Sequence, residues 1–126
     1  MKLRIFNLIA PLLASLTCLC LTAGCEKGDD HFDHTPPAGQ GSIILENFTY
    51  TDIEFFIDGI QQGTIKSDRN HAFDLAPGVY RVVLNDKGGD RNWADDVDVL
   101  EGRLTILTVK IDTSSFDAYL VTRVIQ

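Results

Sequence analysis

The chain has 126 residues, 44% of them hydrophobic, and a formal net charge of −7 at pH 7, which allows one small domain with its own core. Because acidic residues outnumber basic ones, 18 against 11, we expect no nucleic-acid partner. All three cysteines lie within the first 25 residues, so the remaining chain has no cysteine for an internal disulfide.

Residues 1–24 have the composition of a secretory signal peptide. Lys2 and Arg4 precede an apolar run, residues 5–21, that ends in small residues. A membrane-spanning helix is the alternative, since about 20 apolar residues suffice to cross a bilayer. The run is slightly short, contains Pro11 and has no basic cluster behind it. We therefore predict a signal peptide.

The stretch Leu21-Thr22-Ala23-Gly24-Cys25 resembles the lipobox of bacterial lipoproteins. The resemblance implies cleavage after Gly24 and acylation of Cys25, which would make membrane lipid a partner of the protein. Each buried methylene contributes roughly 0.8 kcal/mol, so two or three acyl chains would anchor the protein almost permanently. A plain secretory signal with an incidental cysteine remains the alternative.

Residues 25–41 are predicted to form a disordered acidic linker. They contain adjacent prolines, several glycines and one large apolar residue, Phe32. His31 and His34 lie among three aspartates and are residue types that bind zinc. Because a disordered linker does not preorganise ligands, we expect no metal site there.

The residues after Cys25, Glu26-Lys27-Gly28-Asp29-Asp30, resemble the acidic sorting tag of surface lipoproteins in Gram-negative bacteria. The resemblance implies an outer-membrane protein that faces the cell surface, with the periplasmic face as the alternative.

Residues 42–126 contain eight short segments that are alternating or apolar and are separated by turn residues. This pattern predicts an all-β fold, a single antiparallel β-sandwich or small barrel of seven or eight strands. We expect the sandwich, and the family resemblance given below implies its Ig-like form. In the last segment both faces are partly apolar, and we expect a central position for it, although an edge strand would share this feature. The predicted strands are residues 42–47, 52–58, 63–66, 71–75, 79–86, 94–100, 103–112 and 116–125.

The predicted turns carry a family resemblance. The segments 57–63, 75–82 and 97–99 resemble the PEGA domain and other small Ig-like or transthyretin-like repeats of bacterial envelope proteins, over residues 43 to 111. Asp58-Gly59 is typical of a tight hairpin, and Pro77-Gly78 of a turn. The resemblance implies a non-catalytic sandwich that acts as a spacer or an adhesion module.

The connection at residues 85–96 is the best candidate for a ligand site. Functional residues favour such loops, and Trp93 could stack on a sugar ring. Four aspartates in the same connection could supply oxygen ligands to calcium; they are Asp86, Asp90, Asp95 and Asp96. We favour the alternative of an ordinary hairpin connection with Trp93 folded over the end of the sandwich.

Catalysis has little support in the sequence. His71 is the only histidine of residues 42–126, with Asp68 and Asp74 near it, and no Gly-x-Ser-x-Gly motif occurs. We therefore expect no enzyme and no cofactor. The predicted function is that of a non-enzymatic outer-membrane or cell-surface lipoprotein with a structural or adhesive domain and an envelope protein or glycan partner. The alternative is a carbohydrate- or calcium-binding module that uses residues 85–96.

Overall fold

A computed structural model describes residues 32–126; the predicted signal peptide, Cys25 and the first part of the linker lie outside the described residues. All eight predicted segments are strands, and their bounds differ from the predicted ones by at most three residues. The strands are β1 (Gly41–Asn47), β2 (Ile53–Ile57), β3 (Ile60–Ile65), β4 (Arg69–Leu75), β5 (Gly78–Asp86), β6 (Asn92–Val99), β7 (Leu104–Ile111) and β8 (Tyr119–Ile125).

The strands form two four-stranded sheets packed as a sandwich, which confirms the predicted fold class. Sheet A has the order β4-β1-β7-β8, and sheet B has the order β3-β2-β5-β6. Neighbouring strands are antiparallel except for β1 and β7, which are parallel with Ser42 opposite Leu104. The sequence predicted a purely antiparallel sandwich, and the parallel pairing of β1 with β7 corrects that prediction.

The last strand, β8, lies at the edge of sheet A, so the predicted central position is wrong. Its inner face carries the buried Tyr119, whereas Leu120 and Val124 are exposed on the outer face. Val124 lies opposite Ile106 of β7, so it extends the apolar outer surface of sheet A. Both faces of β8 are partly apolar because its outer face adjoins the apolar patch that Ile44, Leu104 and Ile106 form on sheet A.

The core lies between the sheets and follows the alternation read from the sequence. In β2, Ile53, Phe55 and Ile57 are buried, and the two residues between them are only half-buried. Phe55 packs against Phe73 of β4 with ring centroids 4.5 Å apart, which joins the two sheets. Fully burying one such side chain contributes about 1.5–3 kcal/mol. The remaining buried members of this cluster are Ile43, Leu45, Ile65, Val82, Leu84, Val97, Val99, Leu107, Val109 and Tyr119.

The β2–β3 hairpin turns at the predicted place, but its turn has only two residues, so β3 begins at Ile60 rather than at the predicted Gly63. Asp58 and Gly59 have φ angles of 49° and 79°, as a type I′ turn requires at both positions. The Asp58 carboxylate accepts a hydrogen bond from the backbone N–H of Arg81 at 2.8 Å. The turn is thereby attached to the neighbouring strand β5.

Residues 32–40 lie against the outer face of sheet A, although the sequence placed them in the disordered linker. Phe32 packs on a small apolar cluster formed by Ile44, Leu104 and Ile106. The compact unit of the structure accordingly begins at Phe32, before the predicted boundary at residue 42. The physical reason is that β1 and β7 present apolar side chains on both faces, and Phe32 removes part of the second face from water.

Candidate functional site

Four connections meet at one end of the sandwich, which we call the loop end. They are residues 48–52, 66–68, 87–91 and 112–118. Backbone hydrogen bonds join them to one another and to the strand ends: Phe48 N to Val109 O, Asp68 N to Asn47 O, Lys87 N to Asp52 O, and Asn92 N to Asp117 O. Because all four connections are attached in this way, the loop end has a defined backbone rather than independent loops.

The side chain of Asn47 holds the β1–β2 connection in place. Asn47 is buried, and its Nδ2 donates to the carbonyl oxygens of Thr51 at 2.8 Å and Ile65 at 3.0 Å. Its Oδ1 accepts from the backbone N–H and the hydroxyl of Thr49. The amide thus makes four hydrogen bonds, which satisfy both of its donors and both lone pairs of its acceptor.

Charged groups lie beneath the loop end. The buried carboxylate of Asp86 faces Arg91, with 3.9 Å between Oδ2 and Nη1. The Arg91 guanidinium also lies 5.9 Å from the ring centroid of Tyr50, within range of a cation–π interaction. Burial, with a smaller contribution from the Asp86 carboxylate, raises the pKa of Tyr119 to about 12. Tyr119 therefore stays neutral, and its hydroxyl is not available as a base near neutral pH.

Trp93 lies in strand β6 rather than in a loop. Its side chain is half-buried and packs against the core, and Leu84 of β5 lies opposite it. The indole thus packs on the sandwich, as the favoured alternative proposed, but it does so from a strand and not from a hairpin connection.

Three of the four aspartates of residues 85–96 face arginines, and the fourth, Asp90, is exposed in the β5–β6 connection. Asp95 pairs with Arg123 of β8 at 2.9 Å, and Asp96 pairs with Arg81 at 3.3 Å. Asp95 and Asp96 are consecutive strand residues, so their side chains leave opposite faces of β6. Asp86 faces an arginine as described above. Within residues 32–126 no group of three or more metal-ligating side chains is present.

The loop end carries exposed aromatic side chains that the sequence analysis did not single out. Phe48, Tyr50 and Phe116 are 55%, 71% and 88% exposed. Two come from the β1–β2 connection and one from the β7–β8 connection, which are distant in sequence. In the sequence, an aromatic residue among turn residues was the only sign of an exposed aromatic side chain. The fold is needed to show that the β1–β2 and β7–β8 connections lie at the same end of the sandwich.

Ser42, His34 and Asp74 meet on the outer face of sheet A without forming a catalytic triad. His34 Nε2 lies 2.7 Å from Asp74 Oδ1 and 3.2 Å from Ser42 Oγ. A triad needs the nucleophilic hydroxyl and the orienting carboxylate on different nitrogens of the histidine ring, whereas here Nε2 faces both groups. The Ser42 hydroxyl also donates to Asp74 at 2.5 Å and is buried. The arrangement attaches residues 32–40 to the sheet, and we call it the His34 clasp.

His71 is separate from both acids considered with it. Asp74 belongs to the His34 clasp, and the His71 ring instead contacts Phe73 with centroids 4.7 Å apart. The histidine therefore lacks the orienting carboxylate that a general base in acyl transfer uses.

Comparison with known proteins gives no family: no protein-family model matches the chain, and no curated protein matches it. In the part of the chain that the structure describes, no helix has the length and apolar character needed to cross a membrane.

Proposed function

We propose that the protein is a non-enzymatic bacterial lipoprotein whose β-sandwich binds an envelope partner through the loop end. The observation that carries this proposal is the exposure of Phe48, Tyr50 and Phe116 on a backbone fixed by hydrogen bonds. Large aromatic side chains on a rigid scaffold supply contact area at low entropic cost, and such residues dominate the binding energy of many interfaces. The proposed role is structural or adhesive.

The lipid anchor is supported by the sequence around Cys25. The lipobox resemblance assigns acylation to Cys25, and the acidic residues behind it favour the outer membrane and its surface-facing leaflet, with the periplasmic face as the alternative. Six residues separate Cys25 from Phe32, and an extended chain of that length reaches at most about 25 Å. The proposed anchor therefore keeps the domain close to the membrane surface.

The fold supports the family resemblance only in outline. An eight-stranded sandwich suits the PEGA-like and Ig-like proposals alike. Each of these resemblances implies a module that spaces or binds, which agrees with the proposed adhesive role.

Carbohydrate binding is the second candidate, and the exposed aromatic side chains favour it as well. Tyr50 and Phe116 offer apolar ring faces on which a sugar ring can stack, and Tyr50 adds a hydroxyl that hydrogen-bonds. The calcium-binding variant of this candidate has no such support, because Asp86, Asp95 and Asp96 each face an arginine.

The anchor is tested by metabolic labelling of growing cells with a palmitate analogue. We expect incorporation into the wild-type chain and none into Cys25→Ala, with Cys18→Ala as a control that keeps the label. Equal labelling of Cys25→Ala would contradict acylation at this residue.

The loop end is tested by crosslinking on intact cells and by a glycan array. We expect Tyr50→Ser with Phe116→Ser to abolish capture of the partner. The matched control is Ile60→Ser with Val79→Ser, which removes two exposed apolar side chains at the opposite end of the sandwich. Loss of array binding in the first variant alone would identify a glycan, and loss of protein crosslinks alone would identify a protein. Equal behaviour of both variants would refute the proposed surface.

A further inference from the structure

A groove opens between the edge strands β3 and β4, where the two sheets of the sandwich meet. It encloses about 300 Å³, near the lower end of the range for small-molecule sites. We call it the basic groove, because three of its six lining residues carry or can carry positive charge. The lining residues are Thr64, Ile65, Lys66, Arg69, Asn70 and His71.

The cationic side chains of the basic groove have no carboxylate partner, unlike most arginines of the domain. Arg81, Arg91 and Arg123 each lie within 4.0 Å of an aspartate oxygen. Within residues 32–126, neither Lys66 nor Arg69 forms such an ion pair. In a chain of net charge −7, compensating carboxylates are abundant. Lys87, Arg103 and Lys110 also lack an ion pair within residues 32–126. What distinguishes Lys66 and Arg69 is that both line one concave surface.

Three acids lie near the groove without an ion pair to its cations among the described residues. Glu54 lies opposite Thr64 in the register of β2 and β3. Asp52 accepts a hydrogen bond from the backbone N–H of Ser67 at 3.3 Å and so is directed at the connection. Asp68 is exposed and adopts a φ of 55°. The groove therefore offers the Lys66 and Arg69 side chains unpaired to an external ligand.

The backbone that carries these side chains is fixed. The N–H of Arg69 donates to the carbonyl of Lys66 at 3.1 Å, and the N–H of Asp68 donates to the carbonyl of Asn47 at 2.9 Å. The His71 ring contacts Phe73, which itself packs on the core residue Phe55. Fixed donors lose less entropy on binding than donors on a mobile loop.

We infer that the basic groove binds an oxyanion of the phosphate type. The planar guanidinium of Arg69 suits two oxygens of one phosphate group, and the Lys66 ammonium adds a second positive charge. Thr64 and Asn70 supply neutral hydrogen-bond donors at the same groove. The phosphate can belong to a membrane headgroup or to a soluble phosphorylated compound. The site is separate from the loop-end aromatic residues and does not depend on their proposed role.

The test uses the full chain in detergent micelles, labelled for NMR spectroscopy, with inorganic phosphate as the first probe. We expect saturable shifts of the Arg69, Asn70 and His71 signals, and affinity that falls as salt is added. Lys66→Gln with Arg69→Gln should weaken phosphate binding at least about tenfold, because each hydrogen bond to a charged group is worth roughly 1.5–3 kcal/mol. The control, Arg103→Gln with Lys110→Gln, removes the same charge from exposed sites elsewhere and should bind normally.

Two further arms distinguish the source of the phosphate. Glycerol phosphate represents a soluble ligand, and nanodiscs of phosphatidylcholine with or without phosphatidylglycerol represent a headgroup. Groove shifts with the soluble compounds alone would assign a soluble ligand, and shifts only with phosphatidylglycerol would assign the membrane. No groove shifts with any probe, or equal weakening in the two double variants, would overturn the inference. Unchanged thermal unfolding of both variants excludes loss of fold as the cause.

Discussion

The loop end and the basic groove adjoin each other: Lys66 belongs to both, and Asn47 and Arg69 lie opposite each other on β1 and β4. The polar groups of the two regions nevertheless behave differently. At the loop end the Asn47 amide has all its hydrogen bonds, and the buried Asp86 faces Arg91. In the groove, Lys66 and Arg69 have no acidic partner among the described residues. The difference separates polar groups that hold the fold from polar groups that remain available to a ligand.

Removal of the Asn47 amide should have the largest effect. We expect Asn47→Ala to lower the free energy of unfolding by about 3 kcal/mol, because one backbone group each of Thr49, Thr51 and Ile65 loses a hydrogen bond. Denaturant unfolding measures the effect, and Asn70→Ala in the exposed groove is the matched control. We expect the control to stay within about 0.5 kcal/mol of wild type. A similar loss of unfolding free energy in Asn47→Ala and Asn70→Ala would contradict the view that only the loop-end amide holds the fold.

Arg91→Ala tests the charged pair of the loop end. Removing the guanidinium leaves the Asp86 carboxylate buried without compensation, and we expect a loss of about 2 kcal/mol. This is less than the 3–5 kcal/mol typical of a broken buried pair, because the contact is long. Adding Asp86→Asn to Arg91→Ala should recover part of the loss.

The control for that pair is Arg81→Ala, which removes an arginine from a pair with Asp96 in which both side chains are more than half exposed. Exposed pairs contribute about 0.2–1 kcal/mol, so thermal unfolding should change little. If Arg81→Ala destabilised the protein as much as Arg91→Ala, burial would not be the reason for the importance of Arg91.

The His34 clasp lies between these extremes, because its side chains are about one third exposed. Hydrogen bonds from Ser42 and then from His34 lower the pKa of Asp74 below its ordinary value of 3.8. A lowered pKa in the folded state means that the clasp stabilises the protein fully above that ordinary value. Its contribution is lost as the pH falls through the lower, folded-state pKa.

We therefore expect residues 32–36 to detach from sheet A at acidic pH before the sandwich unfolds. The NMR signals of Phe32 and Ala72, which pack on one apolar cluster of the outer face, measure this local opening when followed from about pH 5 down to about pH 2. Asp74→Asn should show the signals of the detached form at every pH. Retention of the acid-dependent step in Asp74→Asn would assign it to another group.

The smallest effect on stability is expected in the groove itself. Lys66→Gln with Arg69→Gln removes no ion pair, so the free energy of unfolding should change by less than about 0.5 kcal/mol. At low salt a slight gain is expected, because two like charges no longer repel. A loss above about 1 kcal/mol would mean that these side chains have structural partners.

The strands could be predicted because alternation is a local property. In β2 and β5 the burial of every second residue follows directly from the pattern, and the Asp58-Gly59 turn follows from its two residues. The position of a strand within its sheet is not local. The pattern of β8 fits a central strand as well as an edge strand next to an apolar surface. The position is decided by the strand order, because β7 pairs with β1 on one side and β8 on the other, and β8 pairs with β7 alone.

The candidate site was predictable only in part. The sequence predicts a ligand site at residues 85–96. The β5–β6 connection within this segment does lie at the loop end, but Trp93 packs on the core. The exposed Tyr50 and Phe116 come from other connections, and no pattern of spacing brings them together. The two cations of the groove were missed for a similar reason: whether a lysine or an arginine is paired depends on residues distant in sequence.

The parallel pairing of β1 with β7 has a consequence for how the chain folds. Ser42 and Leu104 are register partners although 62 positions separate them, and β1 lies at the centre of its sheet. Long-range pairing of this kind slows folding, with times of milliseconds to seconds for β-sandwiches. A chain that has emerged only as far as β6 has one sheet complete and the other without its central partner. Such a chain cannot complete sheet A until β7 follows. Until then it lacks the full fold that would prevent its passage through a narrow channel.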